Sequence, residues 1–447
     1  MMTVPSGPEN SDSARLPVVL VFSSRSYRVK AFLEAARKLG APVVLASDFE
    51  GGSARLLGDR FVRVDLDDPE RAAFDIVSAI GTKKVAAVVA LDDAGVLAAG
   101  TAASKLGLSR NSIGGLRATR DKAALRARLS AGEVLQPRWY RLDRGPDLQH
   151  LRKIEEVCGF PCVVKPVSLQ ASVGVVLASS PADLFEAVEV ASSVQRDETG
   201  RAWPVLVEEY LPGREVAVEG ILVEGELETA VHIDKPEAPR GPHFAETMLV
   251  MPADLDESTE RRLVEIVEEA CRLLGIVEGP VHAEFREGSQ GFCLLEIAAR
   301  TIGGLCSRAI RFETSAGGSE SRTLEEAVLE RAIGRFDRVK CTGGYSGVVM
   351  LYPQAGGILR KVEGVGEAAK VAGVTDVEIT IAPGSEVQPL PRSGRYLGFV
   401  FAKAERRSDC IDALRRARNL IRPVIEEISV GEQAGEKSTV AVTPRRS

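Results

Sequence analysis

Residues 282–304 read HAEFREGSQGFCLLEIAARTIGG. Two apolar-rich runs flank Gly-Ser-Gln-Gly, a pattern that predicts a β-hairpin. A turn near Ser289–Gln290 pairs position 284 with position 296, because each lies six residues from Gln290. Directly paired residues share a face, with Cβ atoms ~4.5–5.5 Å apart. Glu284 and Glu296 would then face one another, and two carboxylates so close repel unless a cation lies between them. Magnesium suits that position, since it joins one or two carboxylates to substrate phosphates. The competing reading is a solvent-facing hairpin with scattered acids, because strand register is only loosely set by sequence.

Working outward, the question becomes whether anything nearby binds phosphate. Lys165 ends the apolar run CVVKP, and the small-residue segment SLQASVGVV (168–176) follows it, with Ser172 and Gly174 in the loop. Backbone N–H groups of such a loop cradle phosphate oxygens, with a lysine adding charge. It lacks the Gly-Lys-Ser/Thr of a Walker A loop, and an ordinary hairpin turn has the same composition. Lys122, on a helix-like stretch, is a second cation; a solvated helix lysine is its plainer reading. In VLVEEYLPGREVAVEG (205–220), an apolar strand delivers Glu208, Glu209, Tyr210 and Leu211 to a Pro-Gly turn that Glu215 follows. Backbone groups at 209–211 suit an adenine edge and Glu215 suits ribose hydroxyls; an edge strand with a charged turn reads equally well in isolation.

The chain of 447 residues is 45% hydrophobic and 27% charged, enough for two to four packed modules. A net charge of −6 argues against a nucleic-acid partner. The seven cysteines are scattered and odd in number, which suits reduced thiols in a cytoplasmic protein better than a disulfide framework. No run is long enough for a signal or a span, so no membrane partner is expected. Residues 1–15 are polar and expected to be disordered. Strand and helix alternate over 16–114, predicting an open parallel α/β domain. Residues 115–338 mix helices with antiparallel strands, 339–432 read as an α+β module ending in a helix through DCIDALRRARNLIRPVIEEI, and 433–447 form a loose tail. The expected fold class is therefore multidomain, α/β with α+β.

The order Lys122, Lys165, small-residue loop, EEYLPGxE, then a two-glutamate hairpin followed by Arg300 resembles the ATP-grasp superfamily. GPHFAETMLVMPADL (241–255), LLEIAARTIGGL and the C-terminal run from SGVVMLYP to GFVFAKA are similar to the L-amino-acid ligases, which join two amino acids. That resemblance extends over about 16–430. It implies that Lys122 and Lys165 hold ATP phosphates, that Glu208, Glu209, Tyr210 and Leu211 line the adenine pocket with Glu215 on the ribose, and that Glu284 and Glu296 bind Mg²⁺, with Mn²⁺ as a substitute. It also implies that Arg300 meets the substrate carboxylate or acyl phosphate and that Glu246 faces the substrate amino group. His243 and His282 sit close to these motifs, where a packed or surface histidine reads equally well, and Gly303 and Gly304 suggest backbone approach to substrate, although a glycine-rich bend needed only for packing looks the same. One position departs: many ATP-grasp enzymes have Asn two residues after the second metal glutamate, and here it is Ala298.

The implied activity is ATP-dependent amide formation between a small-molecule carboxylate and an amine, through an acyl phosphate, with Arg300 and Lys165 acting at the reacting groups. Dimers are frequent in that family, so a homodimer is expected. Two other readings stay open: a bicarbonate-activating enzyme of carboxylase or carbamoyl-phosphate type, and a protein that binds ATP without turnover.

Overall fold

The computed structural model describes residues 16–49, 51, 58, 60–143, 145–195, 204–239, 241–313, 321–335 and 343–427. The segments expected to be loose, 1–15 and 433–447, lie outside them, as does Cys341. The apolar run Val18–Phe22 is a strand buried along its whole length. It lies parallel between Val43–Ser47 and Ala87–Ala90, with Phe61–Arg63 at the edge. Continuous hydrophobic runs of this kind form where helices cover both sheet faces. The helices Val29–Leu39, Pro69–Ile80 and Asp93–Lys105 supply that cover. The first stops at Gly40, whose left-handed φ of 66° most residues avoid.

Two antiparallel sheets follow. The smaller has the order Trp139–Leu142, Val205–Glu209, Cys162–Pro166, Val176–Ala178. The larger has eight strands, in the order Gly291–Ala298, Gly279–Gly288, Glu215–Val223, Glu226–Lys235, Met248–Met251, Tyr345–Leu351, Gly398–Ala404, Val374–Ile379. The C-terminal strands therefore extend the central sheet without a break. The amphipathic helix Glu257–Leu274 packs its apolar side on this sheet, through Leu263, Val267, Ala270 and Leu274. A three-stranded sheet, Glu386–Val387, Gly357–Glu363 and Arg422–Glu426, completes the fold.

The last helix is shorter than the sequence suggests. It spans Arg407–Leu420, and Arg422–Glu426 is a strand. Pro423 explains the difference, since its ring cannot accept a place inside a helix and disfavours helical backbone at the residue before it.

Candidate active site

The predicted hairpin forms, with Gly279–Gly288 and Gly291–Ala298 joined by Ser289–Gln290. Near the turn the register is regular: Gly288 opposes Gly291 and Phe285 opposes Leu294. Continued evenly, it would set Glu284 against Leu295. A bulge intervenes, and Glu284 pairs with Glu296. Two residues opposing one upsets the strict alternation of faces, and Leu295 and Glu296 accordingly both line the same cavity. Arg126, at 0% exposure, holds the bulge in place by donating to the carbonyls of Leu294 (3.1 Å) and Leu295 (2.6 Å).

The cavity measures about 830 Å³ and lies between the two antiparallel sheets. It gathers Lys122, Lys165, Ser172, Glu208, Glu209, Tyr210, Leu211, Glu215, Glu246, Glu284, Glu296, Arg300, Gly303 and Gly304. Gly174 and His243 are not part of its lining. A side chain on Gly174 would press Pro166 and Val194 at 2.6 Å, so the position serves packing. His243 has a buried Nδ1 without a hydrogen-bond partner among the described residues.

From the small sheet, Glu208 reaches Lys165 Nζ at 2.5 Å and Arg126 Nε at 2.7 Å. Burial alone would raise its pKa, but the two cations outweigh burial and hold it at about 2. The carboxylate is thus committed to fixing Lys165 rather than to a ligand. Lys122, at the first turn of the helix that Asp121 caps, donates to Leu169 O at 2.6 Å and approaches Glu296 at 3.3 Å. The loop it touches carries Ala171 and Ser172 at φ 52° and 58°, with Ser172 Oγ donating to Phe244 O.

From the large sheet comes Lys235, which the sequence did not single out. Its ammonium, 3% exposed, lies 2.6 Å from Glu215, 2.7 Å from Glu246 and 3.3 Å from Glu284. Burial opposes its charge, yet the three carboxylates raise its pKa well above the usual value. Glu284 goes the other way: Lys235 and His282 overcome burial and hold it well below the carboxylate range. Glu246 is raised, because burial and Glu284 outweigh its share of Lys235. Glu215 also meets Arg286 at 3.4 Å, whose guanidinium lies over the rings of Tyr210 and Phe244.

His282 joins Glu284 (3.3 Å) to the fully buried Glu219 (2.9 Å). Burial would lower the pKa of the imidazole, but those two acceptors raise it to about 9. Glu219 also accepts from Ile302 N, at 3.0 Å, which fixes the chain just after Arg300. Arg300 itself is held by Asp93 at 2.5 Å. Asp93 opens a helix packed on the N-terminal parallel sheet, so this contact ties that part of the fold to the site. No local signal marks Lys235, Arg126 or Asp93, since their partners are distant in sequence.

The carboxylates Glu284 and Glu296 offer only hard oxygen donors on one face, and each already attracts lysine ammonium groups. That donor chemistry fits Mg²⁺. Ala298 offers no further donor; it is buried and opposes His282.

A profile described as ATP-grasp domain matches residues 158–309, and one described as L-amino acid ligase C-terminal domain 2 matches residues 349–426. The chain thus contains an ATP-grasp domain, as the sequence resemblance implied. Its C-terminal part is similar to the C-terminal domain of the L-amino acid ligases. Among relatives, an uncharacterized protein of Sinorhizobium fredii is 25% identical over 420 residues, covering 91% of this chain and 82% of its own. The alanine--anticapsin ligase of Bacillus subtilis is 26% identical over 260 residues, 54% of this chain, and the match spans only 53% of that ligase. The crystal structure of an L-amino acid ligase from Bacillus licheniformis superposes with a TM-score of 0.70 at 21% identity, covering 92% of this chain and 100% of the other. Among the described residues, no helix is long and apolar enough to cross a membrane.

Proposed function

We propose that the protein is an ADP-forming carboxylate–amine ligase acting on small molecules, with an amino acid as the activated acid. One observation carries this reading: cross-strand Glu284 and Glu296 share a cavity with Lys122, Lys165 and Arg300. A carboxylate oxygen attacks the γ-phosphorus of ATP and the bond to the β-phosphate oxygen breaks, leaving an acyl phosphate and ADP. An amine then attacks the acyl carbon, the C–O bond to phosphate breaks, and the amine proton leaves to phosphate or solvent. Such phosphoryl transfer depends on positioning and charge neutralisation.

Lys165, fixed by Glu208, and Lys122 supply fixed positive charge for phosphate oxygens. Glu246 faces the ammonium of the substrate before it reacts. Arg300, held by Asp93, stabilises the oxyanion that forms at the acyl carbon. Glu284 and Glu296 would hold Mg²⁺, which supplies charge neutralisation at the phosphates. The enclosing sheets keep water from the acyl phosphate.

Phosphate release from Mg-ATP across pairs of amino acids and carboxylates, with mass spectrometry of products, tests the reading. Release that needs both partners, with a product mass equal to their sum minus water, is expected. Release that needs bicarbonate alone points to the carboxylase type, and bound ATP without any release points to a non-catalytic protein. Glu296→Gln is expected to abolish ADP formation in a folded chain; an active variant removes the metal assignment.

A further inference from the structure

Among the described residues, seven lysines and arginines line the cavity: Arg25, Lys122, Lys165, Lys235, Arg286, Arg300 and Arg395. Five have a carboxylate partner: Lys122 with Glu296, Lys165 with Glu208, Lys235 and Arg286 with Glu215, and Arg300 with Asp93. Arg25 and Arg395 have none among the described residues. The two come from different domains, yet their places in the fold are linked. Arg25 lies two residues before Tyr27 and Arg395 adjoins Tyr396. Tyr27 and Tyr396 both line the cavity and both pack on Phe399, with ring centroids 6.2 Å and 5.1 Å from it.

The same wall lies next to the reacting centre. Gly304, four residues after Arg300, has φ 60°, and a Cβ there would come 3.0 Å from Phe399 and 3.3 Å from Tyr396. The backbone after Arg300 is thus laid directly against this aromatic surface. Arg25 and Arg395 line the cavity beside these rings, both exposed and without a carboxylate partner among the described residues. Guanidinium groups in that condition are suited to a carboxylate, which accepts two N–H bonds at once.

We infer that Arg25 and Arg395 bind a carboxylate of the amine substrate, distinct from the carboxylate that is activated, while its apolar body rests on Tyr27 and Tyr396. This rests on the ligase reading above, and it makes the acceptor an amino acid or peptide rather than a simple amine. The carboxylate belongs either to the α-position or to an acidic side chain, and three probes distinguish these.

The test is calorimetric titration of the full chain with L-phenylalanine, L-phenylalaninamide and L-glutamic acid α-amide. At least one carboxylate-bearing probe should bind roughly tenfold tighter than phenylalaninamide. An R25Q/R395Q double variant should lose that preference. Both side chains are exposed, so the variant is expected to keep the wild-type melting temperature. Preference for phenylalanine assigns the α-carboxylate, and preference for the glutamic acid amide assigns the side chain. Equal binding of all three, no binding of either carboxylate probe, or a preference that survives in the double variant overturns the proposal. So does a double variant that loses Mg-ATP affinity instead. Phosphate release by the wild type is scored separately. A chain that discriminates the probes but consumes no ATP loses the ligase reading alone, and one that turns over without discriminating loses the subsite alone.

Discussion

The two sheets that enclose the cavity solve the problem of buried charge in opposite ways. On the small sheet one carboxylate, Glu208, holds two cations, Arg126 and Lys165. On the large sheet one cation, Lys235, holds three carboxylates, Glu215, Glu246 and Glu284. The first cluster carries a surplus of positive charge into the cavity, whereas in the second Arg286 and His282 share the carboxylates with Lys235. The positive surplus of the first cluster suits the phosphate of the proposed reading. Buried charge without a partner is costly, and each cluster is built around one shared counter-ion.

The largest effect is expected from removing the one cation that all three carboxylates share. Lys235→Met leaves Glu246 and Glu284 without it, and should cost about 5 kcal/mol of stability in chemical denaturation, with loss of activity. A small change would show that His282 and Arg286 suffice to hold these carboxylates. On the other sheet, Glu208→Gln should cost about 3 kcal/mol. Its carboxyl has a folded pKa of about 2 against an ordinary 4.5. A depressed pKa gives stability that is present above the unfolded value and lost as pH falls through the folded one. The gap between wild type and variant should therefore be constant above pH 4.5 and close between 4.5 and about 2, as urea titrations at several pH values would reveal. A pH-independent gap would assign the loss to packing.

Smaller effects sharpen the same contrast. Asp93 neutralises Arg300 from outside both sheets. Asp93→Asn keeps a hydrogen-bond acceptor but removes the charge, so kcat should fall roughly tenfold, about 1.4 kcal/mol in the barrier, with ATP affinity unchanged. A matching loss of ATP binding would mean that Asp93 holds the domains together rather than Arg300. Glu209 is the neighbour of Glu208, but its partner Arg138 is 59% exposed at 2.8 Å. Glu209→Gln should change stability by under about 0.5 kcal/mol. Adjacent glutamates with such different costs would isolate burial as the cause.

Much of this was legible in the chain. Val18–Phe22 announced a parallel strand by its unbroken apolarity, and the order of nucleotide motifs announced the ATP-grasp fold. The pairing of Glu284 with Glu296 was read as symmetry about Gln290. The turn instead centres between Ser289 and Gln290, and the bulge at Leu295 restores the pair. The offset of half a residue and the extra residue cancel. Lys235 was not legible, because it ends a strand of alternating polar and apolar residues, where a terminal lysine looks solvated. Its burial depends on three glutamates from three other segments. Arg126 likewise sits in a helix rich in arginine, and nothing local separates it from Arg128, which is exposed. The last helix was overextended because Arg-Arg-Ala-Arg-Asn-Leu has strong helical preference up to the proline.

The bulge also gives the hairpin a property that ordinary strand pairs lack. It works as a reading frame. Side chains of a strand alternate between two faces, so a shift of one residue would turn Glu296 away from the cavity and bring Leu295 alone toward it. The frame is not set within the hairpin. It is set by Arg126, which grips the carbonyls of Leu294 and Leu295 from 168 and 169 residues earlier in the chain. A one-residue insertion in the turn is thus a frameshift in three dimensions, and the helix carrying Arg126 is where it would be suppressed.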